Sequence, residues 1–115
     1  MPIIKHSSRA LVGNNDRIGV REIVDKKDGA AYLKLTEVIM DPGSEYKLHT
    51  HPTEQVVTVL GGSIQMVLDG EVQTLRRGYT FLAPAGVTHA LVNNTWVSAR
   101  MLIIDAAQDV ETSFI

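Results

Sequence analysis

The stretch HTHPTEQ, residues 49–55, sets His49 and His51 two positions apart and ends in Glu54 and Gln55. On a β-strand, residues i and i+2 point to the same face, so the two imidazoles enter one space. Two neutral imidazoles at that spacing can chelate one metal ion. The same pair also suits two exposed histidines, or one buried histidine satisfied by backbone. Which neighbour works with them, Glu54 or Gln55, is open on spacing alone, because a carboxylate and an amide both offer an oxygen. A third histidine, His89, lies further along the chain.

The elements that must position these groups read as strands. In YLKLTEVIM (32–40), Leu33, Leu35 and Ile39 share one face by period-two alternation. Ile64, Met66 and Leu68 alternate in SIQMVLDGEV and run into Asp69-Gly70, a strong hairpin signal because both turn positions need positive φ. QVVTVLGG, YTFLAPAG, HALVN and WVSARMLII (96–104) are further β-branched or apolar segments ending at glycine, proline or asparagine turns. Turn signals recur about every ten residues, as in an all-β sandwich or barrel. Residues 6–30 read as short strands and loops. The tail DAAQDVETSFI is mixed, and its Phe114 and Ile115 are expected to dock on the domain or on a partner subunit.

Composition narrows the function classes. The chain has 115 residues, with 44% apolar and 21% charged, which argues for a single globular domain over residues 1–115. Such a chain hides roughly two-thirds of its unfolded surface on folding, enough for one core. Net charge is −2 and basic residues are scattered, so no field invites nucleic acid or an anionic membrane. Arg76-Arg77 is expected on a solvated edge. Cysteine is absent, which excludes disulfides, thiolate metal sites and a cysteine nucleophile. MPIIKHSSRALVG lacks the apolar region of a signal peptide, and no run approaches the ~18 apolar residues of a membrane span. The expectation is a cytoplasmic protein.

Two spaced motifs then stand out. Gly43, His49, His51, Gln55 and Gly62 follow the pattern Gly-x5-His-x-His-x3-Gln-x6-Gly, which resembles the first motif of the cupin superfamily. Gly78, Pro84, Gly86, His89 and Asn93 follow Gly-x5-Pro-x-Gly-x2-His-x3-Asn, which is similar to the second cupin motif at every position. The spacing between them, 63–77, is similar to that of compact bacterial members. Together the motifs cover residues 43–93, and on them the chain is identified as a small single-domain cupin.

That resemblance implies an all-β fold, the double-stranded β-helix or jelly-roll barrel, open at one end. It implies turns at Gly43, Gly62, Gly78 and Gly86, stiffened by Pro42 and Pro84, with Asn93 bonding its own turn. It also implies one divalent transition metal ion on His49, His51, residue 55 and His89. The family's usual third ligand is glutamate; here the position is Gln55. Residues 49, 51 and 55 are all odd, so Glu54 would face away on a continuing strand, although Pro52 interrupts it. The spacing to Gly62 also selects Gln55, and some small cupins with an HPxEQ segment use the glutamine oxygen. Three imidazoles and an amide leave the ion its full double charge, which suits Zn, Ni, Co, Fe(II) or Mn(II) better than a cycle through the trivalent state.

By the same register, Phe81, Ala83 and Leu91 point inward, Val57 and Val59 share the parity of Gln55, and Met66 and Met101 contribute. The expected substrate pocket is Val57, Met66, Phe81, Leu91 and Met101. Candidate acids and bases are Lys47, which has the parity of His49, Glu37 on a neighbouring strand, Arg100 on the last strand, and Tyr46, with Tyr32 and Tyr79 as further options. The expected function is a metal-dependent enzyme on a small oxygen-rich molecule, of lyase or isomerase type, or a dioxygenase. The alternative is a non-catalytic binding or sensing module. Glutamine-ligand cupins that linearise unsaturated uronates carry an acidic residue, an aromatic and an arginine near the C-terminus. Asp105 stands at the acidic position here, but no Phe or Arg follows in place. The partners expected are a small molecule and a second copy of the chain.

Overall fold

The alternating segments pair into two antiparallel sheets in the computed structural model, which describes residues 2–13, 16–108 and 112–115. The strands are β1 (Leu11–Gly13), β2 (Ile18–Val24), β3 (Lys34–Met40), β4 (Glu45–Thr50), β5 (Gln55–Gly61), β6 (Ser63–Leu68), β7 (Glu71–Arg76), β8 (Thr80–Ala83), β9 (His89–Val92), β10 (Ala99–Asp105) and β11 (Ser113–Phe114). One sheet has the order β1-β2-β3-β10-β5-β8 and the other β11-β4-β9-β6-β7. From β3 to β11 the chain passes back and forth between the sheets, staying in one only for the β6–β7 hairpin. That winding makes the jelly-roll barrel. The helical turns at His6–Ser8 and Lys26–Asp28 are single 3-10 turns, and no helix among the described residues is long and apolar enough to cross a membrane.

Inner-face residues of both sheets form the core, including Val38, Met40, Val57, Val59, Ile64, Met66, Met101 and Ile103. The hairpin between β6 and β7 turns on Asp69 and Gly70, both at positive φ (50° and 82°), as the Asp-Gly pair predicts. Leu35 and Ile39 do share a face, but it is the outer one. Thr36, Val38 and Met40 are the buried residues of alternate parity, and Leu33 precedes the strand. Strand β3 is apolar on both faces, so alternation alone does not choose the inner one. Likewise Trp96 and Val97 stand exposed before β10 instead of opening it.

Asn93 is the reason. Fully buried, it donates from Nδ2 to the Met40 carbonyl (2.8 Å) and the Val97 carbonyl (2.9 Å), and its Oδ1 accepts from the Thr95 backbone N–H and hydroxyl. It binds its own turn and ties that turn to β3. Gly62 is constrained differently. It has φ of 70°, and a Cβ there would meet the Ser98 carbonyl oxygen at 2.5 Å, so only glycine lets β5 and β6 pass that close to the start of β10. Asn93→Ala removes the side-chain donor of the buried Met40 carbonyl and the acceptor of the Thr95 backbone N–H. It is expected to lower the unfolding free energy by about 3 kcal/mol in urea titration. A loss below about 0.5 kcal/mol, the size of an ordinary surface change, would contradict this role.

Candidate metal centre

The motif side chains gather at one end of the barrel, where several strands begin or end. His49 is next to last in β4, His51 follows its end, Gln55 opens β5, His89 opens β9 and Asp105 closes β10. His49 and His89 are direct partners across β4 and β9, and Gln55 and Asp105 across β5 and β10. The ring centroids of His49 lie 4.3 Å from His89 and 4.8 Å from His51, and those of His51 and His89 are 5.3 Å apart. The three histidines are buried, and each offers a ring nitrogen within 4.8 Å of the others.

Backbone carbonyls set the ring orientation. His49 Nδ1 faces the Lys47 carbonyl at 2.5 Å, and His89 Nδ1 faces the Val87 carbonyl at 3.1 Å. A carbonyl only accepts, so in each neutral ring Nδ1 carries the proton and Nε2 keeps its lone pair. The Nε2 of His89 is buried and has no hydrogen-bond partner. Burial pushes the His49 and His89 pKa values below the usual histidine range, and neighbouring imidazoles push the same way, against the carbonyl bonds. Both rings are therefore neutral at pH 7, the form that ligates metals. His51 Nδ1 lies 3.3 Å from the Thr112 hydroxyl. A buried, partnerless nitrogen beside two further imidazoles fits a divalent transition metal ion.

A β-bulge decides what else joins them. Between the pairs Tyr46–Leu91 and His49–His89, β4 advances three residues while β9 advances two. The extra residue reverses the parity of β4. Tyr46 and His49 both reach the cavity, whereas Lys47, expected on the His49 face, is exposed and lines a separate, larger cavity with Asp16, Arg17 and Glu45. Glu37 is also misplaced by the sequence expectation. It lies on the outer face of β3, buried against Arg21 in a 2.7 Å ion pair. Arg100 is exposed on β10, and Tyr32 and Tyr79 are exposed. Of the candidate acids and bases only Tyr46 lines the histidine cavity, and burial pushes its pKa up.

The cavity holding the histidines measures about 200 Å³. Gln55 lines it, buried, while Glu54 is exposed. Leu91 is the one expected pocket residue in the wall. Val57, Met66, Phe81 and Met101 belong to the packed core, because the barrel is filled by side chains beneath the mouth. Phe81 still touches the site from below, its ring 6.4 Å from that of His89. The wall is completed by residues the pocket expectation omitted, among them Val20, Val38, Ile103, Asp105, Thr112 and Phe114. Phe114 arrives through β11, which pairs with His49 and Thr50 of β4. The tail thus docks on its own domain in part, and residues 109–111 lie outside the described residues. Asp105 accepts from Gln55 Nε2 at 2.8 Å, and burial raises its pKa against that bond and nearby cationic groups.

A family model described as a cupin domain matches residues 36–105. The chain belongs to the cupin family. Among solved structures it is similar to the polyketide cyclase RemF from Streptomyces resistomycificus, at 24% identity and TM-score 0.87, over 100% of this chain and 87% of that one. It is similar to KdgF from Halomonas sp., at 20% identity and TM-score 0.82, over 95% and 96%. An oxalate oxidase in complex with glycolate matches at 21% identity and TM-score 0.74, over 88% of this chain and 56% of that one. These likenesses establish the fold. No curated protein sequence matches the chain.

The geometry predicts that His89→Ala lowers bound metal at least about tenfold after dialysis, read by elemental analysis, while Glu54→Ala leaves it unchanged. Metal lost from Glu54→Ala and kept by Gln55→Ala would contradict the arrangement.

Proposed function

We propose that the protein is a metal-dependent enzyme of the lyase or isomerase kind. Its substrate would be a small molecule with one oxygenated end, a carbonyl, enol or carboxylate, and an apolar body. His49, His51, His89 and Gln55 Oε1 would hold the ion, which when bound supplies a Lewis acid for the substrate oxygen. The observation that carries this reading is the wall around the imidazoles. It is built from Val20, Val38, Leu91, Ile103 and Phe114, and among the described residues no lysine or arginine lines it. Such a wall binds an apolar body and excludes water, and it offers no cation for a second carboxylate. The expectation of an oxygen-rich substrate narrows accordingly. The volume is below the roughly 300–1,000 Å³ of drug-sized pockets, which favours a compact ligand.

Tyr46 is the group best suited to serve the substrate. Its ring lies 6.4 Å from that of His49, it lines the cavity, and its raised pKa keeps the phenol protonated. A protonated phenol donates a hydrogen bond or a proton to developing negative charge. Asp105 supplies a carboxylate in the same wall. We place the enzyme in the cytoplasm, which the cysteine-free composition suits.

The test is hydrogen–deuterium exchange at carbon beside the carbonyl of small enolisable ketones and 2-oxo acids, followed by NMR. Metal-loaded protein is expected to catalyse exchange, His89→Ala to abolish it and Tyr46→Phe to slow it about a hundredfold. Oxygen consumption without exchange would favour a dioxygenase, and tight binding without turnover a sensing module.

A homodimer is proposed from the outer face of the six-stranded sheet. Leu82, Val56, Ile104 and Leu35 are successive cross-strand neighbours there, with Leu82 and Ile104 well exposed. A second copy packed on this row would remove it from water. Sedimentation equilibrium is expected to give twice the chain mass, and Ile104→Lys the monomer. A monomer before substitution would sink the proposal.

A further inference from the structure

Gln55 and Asp105 face each other at the mouth ends of β5 and β10, both buried, joined by a 2.8 Å hydrogen bond from Nε2 to Oδ1. A primary amide has two unlike ends: the NH2 group only donates and Oε1 only accepts. An acceptor oxygen at 2.8 Å selects the NH2 end. The amide oxygen is then the end left for the cavity that Gln55 shares with the three imidazoles. Turned the other way, the amide would set Oε1 against the Asp105 carboxylate oxygen and N–H groups against any cation among the imidazoles, and both contacts are repulsive.

We propose that Asp105 is a positioning residue of the metal centre: it turns the Gln55 amide so that Oε1 faces the imidazoles, and it places a negative charge directly behind that amide. The inference rests on the metal-centre reading above. Two physical effects support it. A charge-assisted bond at Nε2 polarises the amide and makes Oε1 a stronger donor to a cation. The carboxylate also opposes the ion's charge from one side chain further out, without occupying a coordination position. A neutral ligand set thereby acquires a counter-charge that a contact list of ligands alone omits. Lys34 is the partner of Asp105 on β3, on the side of β10 away from Gln55.

The experiment uses the full chain stripped of metal, with Zn(II) affinity read by competition against a chromophoric chelator. The Co(II) absorption spectrum reports coordination, and thermal unfolding of the stripped proteins checks their fold. Asp105→Asn keeps the shape and an acceptor oxygen but removes the charge, and is expected to weaken Zn(II) binding about tenfold. Asp105→Ala also frees the amide, and is expected to weaken it further and to shift the Co(II) bands. The exchanged pair Gln55→Glu with Asp105→Asn swaps donor and acceptor and is expected to recover most of the affinity, because the two changes are coupled. Zn(II) affinity and Co(II) spectra in Asp105→Asn and Asp105→Ala equal to the unchanged protein would overturn the positioning role while leaving the metal centre intact. Failure of the unchanged protein to bind Zn(II), or unaltered binding by His89→Ala, would overturn the metal reading and this inference with it.

Discussion

A buried lone pair with no donor is the feature around which this end of the barrel is organised. The Nε2 of His89 lies out of water and has no hydrogen-bond partner, and such an atom costs roughly 1–3 kcal/mol when left unsatisfied. Among the described residues nothing donates to it. The carbonyls of Lys47 and Val87 hold the protons of His49 and His89 on the far nitrogens, so the near nitrogens cannot donate to one another. A cation satisfies every one of these constraints at once. The barrel contributes rigidity, because His49, His89 and Gln55 sit at strand ends fixed by β4–β9 and β5–β10 pairing, with His51 one residue beyond β4.

The rest of the site follows from where charge is absent. Basic side chains are kept out of the wall: Lys47 by the bulge in β4, Arg21 by its ion pair on the outer face, and Arg100 by strand parity. The cavity therefore combines a concentrated electron-pair donor set with apolar surfaces, and among the described residues the carboxylate of Asp105 is the acidic group in its lining. In such surroundings the electrostatic effect of an ion on a bound oxygen is large, because little water screens it.

Much of this was legible in the residues. The His-x-His pair, the complete second motif and the Asp-Gly hairpin all carry local information, and local geometry obeys them. What was not legible depends on long-range pairing. Lys47 shares parity with His49 on paper, but one extra residue in β4 puts them on opposite faces, and nothing in EYKLHT announces a bulge. Strand β3 is apolar on both sides, so Glu37 looked available when it is locked outward against Arg21. Val57 and Met101 do point inward, yet depth along the barrel separates core from cavity, and depth is not written in alternation. Gln55 meets Asp105 across fifty positions of chain, a contact only the β5–β10 register creates.

Anomalous diffraction at the absorption edge of the metal found in protein purified without added ion tests the account most directly. One ion is expected at about 2.0–2.2 Å from the Nε2 atoms of His49, His51 and His89, with Gln55 Oε1 coordinating and Nε2 still turned to Asp105. An ion bound through Glu54, or no ion among the three imidazoles, would contradict it.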